Sequence, residues 1–426
     1  MSGAAARRAA GDLLHLTLDR KRTLDEAMAA SDPFRALEGS DRSFARAIAS
    51  AALRHLGWID RTVQPLISRP LAATSPEIRA LIRAGAAQIW FMDVAPHAAV
   101  SETVDAARLW PGARSGGSFL NAALRRVSET PSPATTLPPE DIWPDWLRLA
   151  FAGGLGDARA RQLASAQLVE PELHLTARSD PAAVAAMTGG ALQPSGTITL
   201  STGAVETLPG YETGDWWVQD AAAALPAKLL DPQADERVLD LCAAPGGKTL
   251  QLAASGARVT AIDRSANRLK RLQENLERTR LSAEIIVADA ETWQPPEKFG
   301  KILVDAPCSA LGTLARHPEG AWIKSIADVG RFPAVQARIL AAARQMLAPG
   351  GTLIYCVCTP LPSEGREIVE AAIARGDYVR RPVAAAECPG FEHALTTSGD
   401  LLTLPGPSQA CDAFYIARLA PAGPAA

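Results

Sequence analysis

The sequence predicts a multidomain chain: an all-α N-terminal bundle, a small α/β subdomain, and a doubly wound α/β domain at the C-terminal end. Three observations predict it. Residues 1–130 carry only helical periodicity. A Pro/Ser/Thr-rich stretch, "SETPSPATTLPPEDIWP", separates them from the rest of the chain. From about residue 235, apolar strands alternate with amphipathic helices five times, the signature of a parallel sheet covered on both faces.

In the first part, "SDRSFARAIASAALRHL" sets Phe44, Ile48, Ala52 and Leu56 four residues apart, one stripe of a single helix. "SPEIRALIRAGAAQIWFM" opens with Ser75 as N-cap and Pro76 at the first helical position, and Ile78, Leu81, Ile82 and Ile89 form its stripe. "PHAAVSETVDAARLW" and "GGSFLNAALRRV" repeat the pattern, the latter through Phe119, Leu120, Ala123 and Leu124. The boundaries are domain 1–130, subdomain 131–225 and domain 226–426. In the subdomain, "ELHLTAR" and "TITLST" read as strands, and "DPAAVAAMTGG" as a capped helix ending in glycine. In the last domain the strands are "RVLDLCA", "ARVTAID", "AEIIVAD", "KILVDAP" and "TLIYCVC", with "CDAFYIARLAP" as a final strand.

Bulk properties narrow the class. A chain of 426 residues, 47% apolar, can bury a sizeable core. Six cysteines in this length do not make a disulfide framework, and reduced thiols suit the cytoplasm. The N-terminus lacks the apolar run of a signal peptide, and no stretch approaches the ~18 uncharged apolar residues of a membrane span. The net charge of −3 is uneven. Residues 1–130 hold 17 Lys/Arg against 13 Asp/Glu, net +4, and residues 131–230 hold 5 against 11, net −6. A basic end permits a polyanionic partner. Ordinary surface solubility explains the same charge, and pairs such as Arg7–Arg8 and Arg125–Arg126 either face phosphates or are simply solvated.

The first strand of the last domain runs into "LDLCAAPGGKT". Paired glycines at a strand-to-helix turn let backbone N–H groups approach a ligand. A phosphate-cradling loop would need glycine where this chain has Cys242, and a dinucleotide fingerprint would need three spaced glycines. Neither fits. Asp240, Asp263, Asp289 and Asp305 lie in or at the ends of four successive strands, which would line one crevice with carboxylates, Asp263 placed for the two hydroxyls of a ribose. Phosphate would be repelled there. A cationic, phosphate-free nucleoside such as S-adenosylmethionine would not.

"DAPCSALG" follows the fourth strand and "YCVCTP" the fifth, so Cys308 and Cys358 are expected to face each other. Cys356-x-Cys358 has too few neighbouring ligands for zinc and the wrong spacing for a redox pair, so no metal is expected. Cys356 reads as core. A thiolate has a use beside a methyl donor. Added to C6 of cytosine it turns C5 into an enamine-like nucleophile, provided an acid such as Asp305 attends N3. The thiol must then have its pKa lowered, with Lys248 as a candidate neighbour.

"DLCAAPGGKT", "DAPCSALG" and "YCVCTPLPSEG" resemble the RNA cytosine-C5 methyltransferases of the RsmB/Nop/Sun family. "PHAAVSETVDAAR" and "FLNAALRRV" resemble the NusB-like N-terminal domain of the RsmB branch, "LPGYETGDWWVQDAAA" its lead-in and "DAFYIARL" its last strand. The resemblance implies a Rossmann-like methyltransferase domain with S-adenosylmethionine as cofactor. It implies 16S ribosomal RNA as partner, with no obligate protein partner and no membrane. It gives Cys358 as nucleophile and Cys308 as the cysteine that helps release the product, beside Asp305. It gives Cys242, Ala243, Ala244, Pro245, Gly246, Gly247, Lys248, Asp263, Asp289 and Asp305 as cofactor-binding positions, with Arg268 as a further contact. The chain departs from the pattern at Val357, where the family has Thr. It departs also at Ser363-Glu364-Gly365, where the family has acid-acid-Asn and only Glu364 is kept, and around "RRPVAAAECPG". Two other classes compete. One is an RNA-binding assembly factor with no chemistry, which would not need Cys308, Cys358 and Asp305. The other is a DNA cytosine methyltransferase, in which Cys308 would be the nucleophile.

Overall fold

A computed structural model describes residues 3–201, 205–406 and 410–423 of the chain. The contacts divide it into two units, Met1–Glu170 with Leu314–Ile326, and Pro171–Thr313 with Ala327–Ala426.

The first unit is helical. Ser75 caps the helix Pro76–Phe91 as its sequence predicts, its side chain accepting from the Ile78 N–H. The expected single helix through Leu56 is instead two, Gly39–Arg54 and Leu56–Val63, broken at His55. The break keeps Ile48, Ala52 and Leu56 buried while turning the chain. Helices Gly3–Leu18, Pro76–Phe91, Pro96–Arg108 and Gly117–Glu129 complete one core around Leu13, Leu81, Ile82, Leu120 and Leu124. At Gly85 two helices approach so closely that a Cβ would come within 2.6 Å of Leu124 Cδ2.

Arg7 is buried and Arg8 half-buried, so neither is simply solvated. Arg7 lies over the Phe44 ring, and Arg8 lies over Trp110 and pairs with Asp12 at 3.2 Å. Their apolar stems gain more by packing than by extending into water. The Pro-rich stretch is also packed, because its prolines suit short 3-10 turns. Ile142 and Trp143 are buried, and Pro138 O accepts from Trp58 Nε1 at 2.8 Å. Helices Asp145–Leu155 and Asp157–Gln167 come next. Leu314–Ile326, from far along the chain, packs with this unit. Arg54 Nη1 donates to Ala315 O at 3.0 Å, Lys21 Nζ to Trp322 O at 2.8 Å, and the Leu24 N–H to Glu319 Oε1 at 3.3 Å.

The second unit holds two sheets. The smaller contains β1 (Leu173–Ala177), β2 (Ala191–Leu192), β3 (Ile198–Leu200) and β4 (Trp216–Val218), in the order β2-β3-β1-β4. Thr202, at the end of "TITLST", lies outside the described residues. The helix Pro181–Thr188 between β1 and β2 is capped by Asp180 and ends at Gly189, with φ of +71°. Leu175, Val184, Ile198 and Trp216 form the core beneath.

The larger sheet contains β5 (Arg237–Leu241), β6 (Arg258–Asp263), β7 (Glu284–Val287), β8 (Phe299–Asp305), β9 (Leu347–Val357), β10 (Tyr378–Arg380), β11 (Leu401–Thr403) and β12 (Phe414–Pro421). Its order is β10-β12-β9-β8-β5-β6-β7, with β11 paired to β12. β9 through β7 are parallel as expected, but β12 inserts antiparallel beside β9 and β10 antiparallel beside β12, so the sheet is mixed. Strand pattern alone does not distinguish these directions, because β12 is as apolar as its parallel neighbours. The chain moves from β5 outward through β6 to β7, then crosses back to β8. This puts the topological switch between β5 and β8, where α/β sheets bind ligands at the carboxyl edge.

Candidate active site

Along the carboxyl edge, read from β9 to β7, the chain sets out Cys358, then Asp305 and Cys308, then the loop Cys242–Lys248, then Asp263, then Asp289. Adjacent strands are ~4.8 Å apart, so the row spans roughly 19 Å.

The β5 loop is shaped by its backbone. Cys242 has φ of +63° and Gly246 +112°, and the Ala244–Pro245 peptide is cis. A Cβ on Gly246 would meet Leu272 Cδ1 at 2.4 Å. The helix Gly247–Ala254 begins at once, and a Cβ on Gly247 would make ordinary van der Waals contact with Gln219 at 3.5 Å. Asp263 is almost fully buried at the end of β6. Its Oδ2 accepts from the Ala244 N–H at 3.3 Å and its Oδ1 from the Ser265 N–H at 2.8 Å. Arg268, which also donates to Ala244 O, pairs with Asp263 at 3.4 Å. Asp289 is exposed two residues beyond β7, where its carboxylate accepts from the Glu291 N–H.

Asp240 departs from the expected row. It is fully buried inside β5 and accepts from Thr249 Oγ1 at 2.6 Å, while its Oδ1 has no hydrogen-bond partner among the described residues. Burial, with Asp305 and Asp263 nearby, pushes its carboxyl up to about 7 against the hydrogen bond from Thr249. A carboxylate one residue short of the strand end points into the protein rather than over the edge.

At the other end of the row, Lys248 Nζ donates to Asp305 Oδ2 at 2.8 Å. Burial opposes the ammonium, but the Asp305 carboxylate outweighs it, and the Lys248 pKa lies above its ordinary value. Cys356 is fully buried, its thiol 3.5 Å from Asp305 Oδ1, and burial pushes its pKa well up, as fits a core thiol. Burial likewise raises the Cys242 thiol. Cys308 and Cys358 are half-buried and their sulfurs meet at 3.3 Å. That contact, followed by burial, holds the Cys308 pKa well above a free thiol.

The donor set fits a nucleoside without phosphates. Lys248 is engaged by Asp305 and Arg268 by Asp263 and Ala244 O, so neither presents a free charge to an anion. Asp263 keeps lone pairs beyond its two backbone donors. Residues 242–248, Asp263 and Asp289, the positions expected to hold S-adenosylmethionine, lie along this one edge.

Sequence reasoning singled out Glu364 as the kept acid of its motif but missed the partners through which it supports the thiols. Glu364 is fully buried and accepts from the Ser309 N–H at 2.7 Å, from Ser309 Oγ at 2.5 Å and from Gln336 Nε2 at 3.3 Å. One signal was available. Gln336 is a polar residue on the same stripe as Ile339, Leu340 and Ala343. The departures from the family pattern also gain an explanation. A side chain on Gly365 would start 2.8 Å from the Tyr415 ring, so the residue after Glu364 has no room for Asn. Val357 is core, opposite Tyr415 in the β9–β12 register. In the "RRPVAAAECPG" segment, Val383 and Cys388 are buried against the sheet.

Comparison with known proteins agrees with this architecture. Residues 227–420 match the family described as 16S rRNA methyltransferase RsmB/F, and residues 4–129 match the NusB family. Ribosomal RNA small subunit methyltransferase B of Xylella fastidiosa strain Temecula1 is 33% identical over 437 residues, 98% of each chain. The protein of the same name from Vibrio cholerae is 33% identical over 434 residues, 97% of this chain and 96% of the other. The crystal structure of PH0851 shares the fold over 99% of both chains, with a TM-score of 0.79 at 21% identity. NSun6 from Pyrococcus horikoshii with SFG covers 66% of this chain, with a TM-score of 0.55 at 19% identity. With an all-α NusB domain ahead of a Rossmann-like domain, and a relative one-third identical along almost its whole length, this chain belongs to the RsmB family of 16S ribosomal RNA methyltransferases.

Proposed function

We propose that this chain methylates C5 of a cytosine in 16S ribosomal RNA through a covalent bond between Cys358 and C6. The family carries the coarser activity, methylation of small-subunit ribosomal RNA. The observation that carries the finer reading is the pair of thiols in contact at 3.3 Å beside the Lys248–Asp305 ion pair. The target base leaves its stack to reach them, because C6 is inaccessible within a duplex. The basic N-terminal unit docks RNA mainly through backbone and shape. A ribosomal RNA substrate places the protein in the cytoplasm.

S-adenosylmethionine, when bound, supplies an electrophilic methyl group. The Cys358 thiolate, held by the Cys308 S–H, attacks C6 and forms the S–C6 bond. As the Lys248 ammonium gives a proton to the Asp305 carboxylate, Asp305 passes one to N3, and both shifts reverse when the adduct breaks down. Once C5 carries the methyl group, the Cys358 sulfur is bonded to carbon and no longer holds the Cys308 proton in place. Cys308 gives that proton to water and takes the one on C5. The C5–H electron pair becomes the C5=C6 bond, the S–C6 bond breaks with its pair returning to Cys358, and the N3 proton returns to Asp305.

Incubation of Cys308→Ala and Cys358→Ala with 16S rRNA and S-adenosylmethionine, followed by a denaturing gel, tests the assignment. A covalent RNA band in Cys308→Ala and none in Cys358→Ala is expected. Methyl transfer by Cys358→Ala should fall roughly a thousandfold or more, with cofactor affinity unchanged. Full activity in Cys358→Ala overturns the mechanism. The reverse band pattern makes Cys308 the nucleophile, as in the DNA-type reading.

A further inference from the structure

The reacting thiols are on loops 50 residues apart in sequence, and one buried carboxylate ties both loops together. Glu364 follows β9 and precedes the helix Arg366–Ala374. Its carboxylate takes the N–H and the hydroxyl of Ser309, the residue after Cys308. It also takes Gln336 Nε2, which donates in addition to Pro307 O at 3.0 Å, the residue before Cys308. Ser309 Oγ lies 3.1 Å from Thr359 Oγ1, on the residue after Cys358. Glu364 is itself held, since its carbonyl accepts from Tyr355 OH at 2.7 Å. Ser309, Gln336, Tyr355, Thr359 and Glu364 are all fully buried.

We propose that Glu364 is a positioning residue for product release, fixing the Cys308 thiol against Cys358 where the C5 proton is removed. The inference rests on the reading of Cys358 as nucleophile and Cys308 as release group. A base must sit within hydrogen-bond reach of its proton, and a misplacement of ~1 Å costs on the order of a hundredfold. Without Glu364 the buried Ser309 N–H loses its acceptor, and the loop moves to find another. Cys358 follows β9 directly and is held by the strand, so adduct formation survives while release slows. Gln at 364 can keep the geometry. Its oxygen takes the Ser309 N–H and Gln336, and its amide donates to Ser309 Oγ, which turns its own hydrogen toward Thr359.

The full-length chain carrying Glu364→Ala, Glu364→Gln or Ser309→Ala is assayed beside Cys308→Ala and Cys358→Ala on a 16S rRNA transcript. Three quantities are read: single-turnover methyl transfer, the fraction of protein in denaturation-resistant adduct during turnover, and the S-adenosylmethionine affinity. For Glu364→Ala the adduct fraction should rise at least tenfold, toward that of Cys308→Ala. Steady-state turnover should fall at least tenfold, with single-turnover transfer within about threefold of the parent. Glu364→Gln should restore both release and turnover to within about threefold. Ser309→Ala keeps the N–H to Glu364 and removes only the hydroxyl, so it should accumulate adduct about threefold, and it carries the test where Glu364→Ala does not fold. Adduct levels unchanged in Glu364→Ala and Ser309→Ala overturn the proposal. So does a joint fall of transfer and adduct in folded protein, or a Gln variant as impaired as the Ala variant. Failure of the underlying mechanism looks different, because Cys308→Ala then traps no adduct or Cys358→Ala traps one.

Discussion

Behind each half of the active-site row lies a fully buried carboxylate, and the two are treated in opposite ways. At the thiol end, Glu364 accepts from Ser309 twice and from Gln336. At the cofactor end, Asp240 accepts from Thr249, and its second oxygen has no partner among the described residues. A buried carboxylate is inexpensive only when donors replace water. Glu364 therefore works as a brace, and the Asp240 carboxyl, raised to about 7, is about half protonated at pH 7. The halves also differ in reach. The cofactor half is assembled from one strand-to-helix turn and the end of the next strand, held by backbone groups. The thiol half joins three loop or helix segments distant in sequence and needs side chains to hold them.

Three substitutions sharpen or break this contrast. The largest effect is expected at Asp240. Its carboxyl is raised from an ordinary 3.8 to about 7, so the folded state binds more protons than the unfolded state between those values. Stability then falls as pH rises from about 4 to about 7, and the cost is fully present above 7. Asp240→Asn should remove it, with a gain on the order of 4 kcal/mol at pH 8 that vanishes below pH 4. Denaturant melts of both proteins across that range measure it, and a pH-independent difference would show that Asp240 is not the buried acid described.

Next is Asp263, the carboxylate expected to take the ribose hydroxyls. Asp263→Ala should weaken S-adenosylmethionine binding roughly ten- to a hundredfold by calorimetry, about 1.4–2.7 kcal/mol. The Cys358 adduct with RNA should still form. Equal loss of the adduct would mean that the two halves are not separate. The smallest effect belongs to Asp289, which is exposed and caps its own turn. Asp289→Ala should weaken the cofactor about threefold or less, and a larger loss by the same calorimetry would move the binding surface outward along β7.

The sequence alone determined the helices up to about residue 130, six strands of the larger sheet, the glycine turn after β5 and the two thiols proposed to react. Each is encoded within about a dozen consecutive residues, by apolar period, by glycine at a turn that needs positive φ, or by a short motif. Tertiary structure decided what depends on neighbours far apart in the chain. It inserted β12 antiparallel beside β9, turned Arg7 and Arg8 onto aromatic rings, and drew Leu314–Ile326 into the helical unit. It also took Asp240 out of the crevice and gave Glu364 its place between Ser309 and Gln336. The physical reason is common to all five. Strand direction, the cost of burying a charge and the satisfaction of a buried donor are set by which groups meet in space, and the local pattern of a sequence does not record those meetings.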